Sequence, residues 1–446
     1  MVATMLPRVM FPLFLGVAMH LGMFIRGEWH LHAASIFLSH ALVFTVLLAK
    51  QLISAPATWY EFVLPFMVYL CGLFVSIVVY RLYFHRLRSF PGPRLAALSK
   101  LWHVWLCRNS QSHLVVDSWR QQYGAFVRTG PSEITIFHPA GLEWLDGPLN
   151  RNIRSDWYDM LLPSIGVFSR DLAVQVHRRK VWDKAMSLTC TKQFHKRITT
   201  HVLELERIIK EQRAKPIVIN DLIYQLTFDI LNDVGFGMTD IDAKYGAFVI
   251  GSSLKKRLKS KPESVDIASF FIEDSQRKNA DRVSLEAVGG DSGIILIAGS
   301  TTGPVLILLL YCLAHWPEHA EKIRQELRNV DYNDMIAFES LRLYPAGPTF
   351  GSRITPPEGL QCDGVHIPGV EEAYDAPHDF IPERWYSKPE LIKDKRAFAP
   401  FAMGRASCAG KKVAMSQMKL TVAILLSKYS ISFAPGTSNG LLMERT

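Results

Sequence analysis

Phe401-Ala402-Met403-Gly404-Arg405-Ala406-Ser407-Cys408-Ala409-Gly410 sets one cysteine between two glycines, just ahead of a run with helical periodicity over Val413–Tyr429. The chain has six cysteines, Cys71, Cys107, Cys190, Cys312, Cys362 and Cys408, scattered and without a CxxC pair. Scatter of this kind points to a reducing compartment where thiols are mostly buried apolar side chains. An isolated cysteine beside a glycine turn would be read the same way. What distinguishes Cys408 is the set of motifs that accompanies it along the C-terminal half.

Phe401, Gly404, Cys408 and Gly410 fit the spacing FxxGxxxCxG. Upstream, Glu339-Ser340-Leu341-Arg342 puts an acid and a base at i and i+3 on one helix face. Between them lies Phe380-Ile381-Pro382-Glu383-Arg384-Trp385. In this order the three segments resemble the haem loop, the ExxR pair and the PERW element of the cytochrome P-450 superfamily. The resemblance implies a mainly α fold with a small β part and haem (iron protoporphyrin IX) as cofactor. Cys408 would be the axial thiolate, which favours O–O cleavage by pushing electron density onto iron. Backbone amides aimed at the sulfur would tune it, with Gly404 allowing the turn and Gly410 the close start of the next helix. Phe401 would exclude water beside the sulfur. Arg405, inside the loop, counts among the haem contacts. Glu339, Arg342 and Arg384 would form a buried ion-pair network behind the loop, costly to break.

The stretch Gln175–Ser187 resembles the family's propionate-binding helix. Aligned on Trp182, also counted as a haem contact, it puts Arg179 at the propionate position and Gln175 where the family has Trp or His. Arg353 matches the second propionate arginine, whose planar fork suits a carboxylate. Gly290–Trp316 is near-uniformly apolar and is expected as a helix buried on all sides. Within it, Ile297–Pro304 resembles the AGxDTT segment that kinks over the haem, where an acid and an alcohol relay protons to the dioxygen being activated. The acid is missing here. Counting from Ala298 makes Thr302 the alcohol; counting back from Trp316 makes it Thr301. The chain is also short between Gly237 and Ala298, where the family builds the roof of its substrate chamber. The basic run Lys255–Lys261 in that region is expected as a solvated or membrane-facing loop.

Three N-terminal stretches carry no charge: 9–25, 31–49 and 62–80. Each approaches the length a helix needs to cross a bilayer. Arg81, Arg86, Arg88, Arg94 and Lys100 follow, which puts the rest on the cytosolic side. Phe90-Pro91-Gly92-Pro93 is a stiff turn out of the anchor. The expected organisation is a membrane anchor over 1–89 and a haem-thiolate domain over 90–446, with the endoplasmic reticulum as the membrane. The net charge of +9 could suit nucleic acid, but no zinc-finger spacing, aromatic RNA-binding signature or basic arm is present, so no nucleic acid is expected.

The resemblance implies a monooxygenase acting on an apolar small molecule with O2 and electrons from an NADPH-dependent reductase. It is most like fungal membrane-bound members of secondary metabolism. Lys411, Lys412, Arg405 and Arg396 would face an acidic reductase. The missing acid and short roof leave two other readings open: a truncated non-catalytic haem-binding or scaffold relative, and a haem-thiolate isomerase or dehydratase.

Overall fold

The computed structural model describes residues 2–26, 29–54, 60–109, 111–147, 151–161, 166–212, 215–238, 248–259, 264–277, 282–326, 331–345, 353–354 and 373–436. The chain divides into two compact units, Met1–Phe137 and His138–Thr446.

In the first unit, α1 (Val2–Met19) and α3 (Tyr60–Val79) each run on into a π-helical turn, His20–Phe24 and Tyr80–Phe84. Between them lies α2 (Ala33–Ser54), which buries no residue. α1 and α3 pack closely because their crossing is lined by glycine: a Cβ on Gly16 would lie 2.2 Å from the Tyr69 carbonyl oxygen, and one on Gly72 2.4 Å from that of Leu13. Small residues of this kind let membrane helices approach without a hydrophobic driving force. α2 and the Tyr60–Phe84 segment, with mean hydropathies of 1.9 and 2.5, are long and apolar enough to cross a membrane. α2 extends past the expected end at 49 and takes in Lys50, a residue of good helix propensity that does not end a helix. The unit continues with α4 (Arg94–Leu98), α5 (Lys100–Leu106) and α6 (Ser112–Tyr123). An antiparallel hairpin follows, β1 (Phe126–Arg128) on β2 (Ile134–Ile136), turning through Gly130-Pro131.

The second unit is helical. It opens with α7 (Gly141–Asp146), strand β3 (Ile153–Arg154), α8 (Trp157–Leu161) and a 3-10 turn at Gly166–Phe168. α9 (Leu172–Ala185) is capped by Asp171, whose carboxylate accepts from the N–H groups of Ala173 and Val174. α10 (Leu188–Glu211) and α11 (Ile219–Phe236) follow, the latter closed by Gly237 in the left-handed conformation at φ 64°. α12 (Phe248–Lys259), α13 (Ile267–Ser275), α14 (Arg282–Ser300), α15 (Thr302–His315), α16 (Pro317–Glu326) and α17 (Asp331–Leu343) lead to strand β4 (Arg353–Ile354). The chain returns through 3-10 turns, Pro382–Trp385 among them, to α18 (Lys411–Lys428). β3 pairs antiparallel with β4. The core interleaves Phe194, Ile198 and Val202 of α10 with Ile223 and Ile230 of α11, Leu306, Leu309 and Leu313 of α15, and Val422 of α18.

Two expectations are corrected. The apolar helix of 290–316 is not buried on all sides: it breaks at Thr301, and Ile297, Ala298, Thr301 and Pro304 form an exposed face, with Ile297 55 % open. The broken ladder follows from Gly299, Gly303 and Pro304, which cannot hold a continuous helix. The basic run at 255–259 is the last turn of α12 rather than a loop, and Arg257 is buried. Arg257 Nε donates to Asp266 at 2.7 Å and its Nη2 to Ser269 Oγ at 2.8 Å. A carboxylate nine residues on turned a solvated charge into a buried pair.

Candidate active site

The Cys408 loop is built by backbone chemistry. The Cys408 N–H donates to the Phe401 carbonyl at 2.8 Å and closes the loop. Ala402 and Gly404 both sit in the left-handed region, at φ 51° and 55°. Gly404 has a second reason to be glycine, since a Cβ there would lie 1.8 Å from the Asp146 carbonyl oxygen. The loop is therefore seated directly on α7. Phe401 packs at the core margin, with the Lys411 ammonium 5.5 Å from its ring centroid. α18 begins at Lys411, so its positive end is directed at the sulfur.

Burial pushes the Cys408 thiol above its ordinary value, while N–H groups of Gly410 and Lys411 and the charges of Arg179 and Lys411 pull it back. Yet Cys408 taken as a whole residue is exposed. Among the described cysteines only Cys312 is buried, against the expectation of mostly buried thiols, so what sets Cys408 apart is the pair of amides aimed at its sulfur.

Behind the loop, Glu339 is fully buried and accepts from every side. Arg342 reaches its two oxygens at 3.0 and 2.8 Å, and Arg384 Nε donates to Oε1 at 3.0 Å. Ile381 N–H and Trp385 Nε1–H add bonds of 2.9 and 2.8 Å. The arginines spend their remaining donors on carbonyls, Arg342 on Pro377 and Asp379, Arg384 on Asp375 and Ala376. The structure thus brings together the three residues that the ExxR and PERW motifs single out.

The two arginines of α9 point different ways. Arg179 donates to the carbonyl and the hydroxyl of Ser407 and pairs with Asp183. Arg178, fully buried, donates through Nε to Asp291 at 2.7 Å and through Nη1 to Asp274 at 3.0 Å. Trp182, expected as a haem contact, donates its indole N–H to Asp291 Oδ1 at 3.1 Å; it lies four residues from Arg178 and shares that face. Burial pushes the Asp291 carboxyl up, opposed by Arg178, Trp182 and the Val167 N–H. Gly166 permits this packing, since a Cβ there would meet Arg178 Cγ and Asp291 Oδ2 at 2.8 Å. α9 therefore ties α14 to the Cys408 loop. The sequence reading missed Arg178, although Arg178, Val181, Trp182 and Ala185 repeat at the spacing of one buried helix face.

Arg353 forms a fork on Asp146, Nε to Oδ1 at 2.8 Å and Nη2 to Oδ2 at 2.9 Å, and donates to Tyr158 Oη at 3.0 Å. Burial lowers Arg353, but these bonds outweigh it and hold the guanidinium above its ordinary value. Directly across the β3–β4 pair sits Arg154, which no motif pointed out. Arg154 is buried, donates to the Val167 carbonyl, and its Nε has no partner among the described residues. Burial and the charges of Arg353 and Arg405 depress it to about 10, against Tyr158 and Asp146. Like charges directly opposite in a sheet repel. The adjoining guanidiniums of Arg154 and Arg353, the orphaned Arg154 Nε and the Cys408 thiol with amides aimed at it fit haem, a thiolate-ligated group with two propionates. Among the described residues no cluster of His, Cys, Asp and Glu could hold a separate metal ion.

On α14 and α15 the threonines differ. Thr301 is exposed, on the face of Ile297 and Ala298, and donates to the Ala298 carbonyl at 2.6 Å; Thr302 is buried. No carboxylate lies on that open face between Val288 and His315, since Asp291 is committed to Arg178.

Residues 247–446 match the cytochrome P450 family model. Cytochrome P450 monooxygenase sthD of Phaeosphaeria nodorum is 30 % identical over 82 % of this chain and 93 % of its own length. Cytochrome P450 monooxygenase notG' of Aspergillus versicolor is 29 % identical, covering 96 % of this chain and 93 % of that protein. Its alignment extends over 512 positions, more than this chain has residues, so the relative carries internal segments that are absent here. Tryprostatin B 6-hydroxylase of Aspergillus fumigatus is 28 % identical over 95 % of this chain and 90 % of that enzyme. The retinoic acid bound structure of cyanobacterial CYP120A1 shares the fold, with a TM-score of 0.62, 19 % identity and coverage of 78 % of this chain and 93 % of that one.

Proposed function

Because this chain belongs to the cytochrome P450 family and is a haem-dependent monooxygenase, we propose that it inserts one oxygen atom of O2 into an apolar small molecule, in fungal secondary metabolism, with electrons from NADPH through a reductase. Bound haem would supply the oxygen activation: two electrons and two protons accompany each O2, one oxygen atom enters the substrate and the other leaves as water. The observation that carries the reading is the Cys408 sulfur with the Gly410 and Lys411 amides aimed at it. Arg154, Arg353, Arg405 and Arg179 would hold the propionates. Residues 1–89 would be the anchor, placing the catalytic domain of 90–446 on the cytosolic face of the endoplasmic reticulum.

Thr301 is the hydroxyl we assign to proton delivery, since its face is open and that of Thr302 is packed. Water would stand in for the absent acid. Thr301→Ala is expected to cut product per NADPH by roughly a hundredfold, the low end for loss of a positioned proton donor, with peroxide released instead. Thr302→Ala should leave that ratio within about threefold and cost packing, as any trimmed core side chain does. Coupling assays with reductase check both; the reverse ranking would put the alcohol at Thr302.

A second reading, a haem-binding relative without turnover, has one observation in its favour. Between Gly237 and Arg282 the described residues form only two helices, of 12 and 9 residues. NADPH consumption by the haem-loaded protein with reductase separates the two readings.

A further inference from the structure

We propose that the turn leaving α3, with the β1–β2 hairpin behind it, binds the phosphate of an anionic phospholipid through Arg81, His85 and Arg86, backed by the buried Arg128. The lipid source rests on the reading of Tyr60–Phe84 as a membrane span.

Between Glu61 and Asp117 the chain carries Arg81, Arg86, Arg88, Arg94, Lys100 and Arg108 and neither Asp nor Glu. A run of this kind is ordinarily a solvated stripe. The fold makes part of it a site by bringing in Arg128. Its N–H donates to the Pro91 carbonyl at 2.8 Å, and a Cβ on Gly92 would lie 2.5 Å from its carbonyl oxygen, so β1 is locked against the Phe90–Pro93 turn. The Arg128 side chain is buried. Nη1 donates to the Arg81 carbonyl at 3.0 Å and Nη2 to the Pro131 carbonyl at 2.8 Å, while Nε has no partner among the described residues. These acceptors are carbonyls, so they hold the guanidinium without neutralising it. Buried charges are ordinarily paired with an opposite charge. Arg81 repeats the pattern, donating through Nη1 to the Leu98 carbonyl. The carboxylate of the hairpin turn, Glu133, is paired with Lys100.

His85 stands among these guanidiniums and is nine-tenths buried. The Leu87 N–H donates to its Nδ1 at 3.1 Å, which leaves the proton of the neutral ring on Nε2. Burial, then the charges of Arg128, Arg86 and Arg81, push His85 down to about 4, so at neutral pH it is an uncharged donor. An anion here would take the Nε2–H and the guanidiniums of Arg86 and Arg81 over the fixed charge of Arg128. The height of the cluster identifies the anion. Arg81 lies in the last turn of the apolar Tyr60–Phe84 segment, beside exposed Tyr83 and Phe84, and aromatic residues of this kind favour the headgroup level. The anion at that level is a lipid phosphate. A choline or ethanolamine headgroup would bring a cation against the arginines, so a headgroup without one fits.

The test uses the full-length protein in neutral detergent at fixed ionic strength, with dioctanoyl phosphatidylglycerol, dioctanoyl phosphatidylcholine and inorganic phosphate as probes. Affinities are read from the saturable rise in thermal midpoint with added probe. Phosphatidylglycerol is expected to bind at least about tenfold more tightly than phosphatidylcholine, since the choline cation meets the arginines. It should also bind at least about tenfold more tightly than inorganic phosphate, which has no chains to lay along α3. Arg86→Gln should weaken phosphatidylglycerol about tenfold, the loss of one charge-assisted bond. Arg94→Gln removes the same charge from outside the cluster and should stay within about threefold, as a screened surface charge does. His85→Phe keeps a ring against Tyr80 and loses the donor, so about threefold weaker binding is expected. Equal affinity for the two lipids, equal losses in R86Q and R94Q, or wild-type affinity in R86Q or H85F overturns the proposal. Inorganic phosphate binding as tightly as phosphatidylglycerol overturns the lipid source. Release of the full-length protein from membranes by carbonate would reject the anchor reading, and the lipid source with it.

Discussion

Glu339→Ala is expected to leave almost no folded protein. The glutamate is the shared acceptor of two buried guanidiniums, an amide and an indole N–H. Removing it strands the charge of Arg384, which is wholly buried, and most of that of Arg342. Breaking a buried pair from one side costs about 3–5 kcal/mol, against a typical total stability of about 5–15 kcal/mol. The two orphaned N–H donors each add about 1–3 kcal/mol. Glu339→Gln, which keeps one oxygen for the amides, should fall between wild type and alanine. In E339A/R384M, where one stranded cation is also replaced by an apolar chain, part of the loss should return. Urea midpoints in detergent check the order; equal stability of E339A and wild type would mean that the network contributes nothing to the fold.

The second large effect is expected at Gly404. Alanine there must hold φ near 55° and place its Cβ 1.8 Å from the Asp146 carbonyl oxygen. The left-handed conformation alone costs about 1–2 kcal/mol. The clash is with backbone on both sides, so no side-chain rotation relieves it; either α7 or the loop must shift. The Cys408 sulfur shifts with the loop, and haem incorporation should be lost while the helical core, which does not touch Gly404, stays folded. Ala402→Gly is the matched control. Ala402 is also left-handed, at φ 51°, so glycine there removes strain and should hold or raise stability by up to about 1 kcal/mol. Haem content per folded chain measures both, and haem loading in G404A at the wild-type level would contradict the geometry.

The site was legible in the sequence where chemistry is fixed by local spacing. Cys408, Gly404 and Gly410 lie within one turn, and Glu339 and Arg342 sit one helical step apart, so the chain itself sets their relation. The kink at Thr301 was legible only through the resemblance of Ile297–Pro304 to the family's kinked segment; the apolar run of 290–316 by itself read as one buried helix. The apolar N-terminal helices were legible from composition, with ends that drifted because a terminal lysine does not stop a helix. What stayed hidden are charges whose burial depends on distant partners. Arg178 meets Asp291 across 113 positions, and Arg353 meets Asp146 across 207. A lone arginine reads as solvated until its carboxylate is seen. Arg154 stayed hidden for the same reason: its neighbour is another arginine, paired through two strands of two residues each, too short to give an alternating pattern.

Central to all of this is the sulfur of Cys408, and one spectrum tests it. The full-length protein is reduced, carbon monoxide is added, and the Soret band is recorded for wild type and for Cys408→Ala of equal helical content. A thiolate ligand gives the strongly red-shifted band in wild type, and its replacement removes that band from the variant. Folded wild type without the band, or a variant that keeps it, would contradict the assignment of Cys408 as the haem ligand.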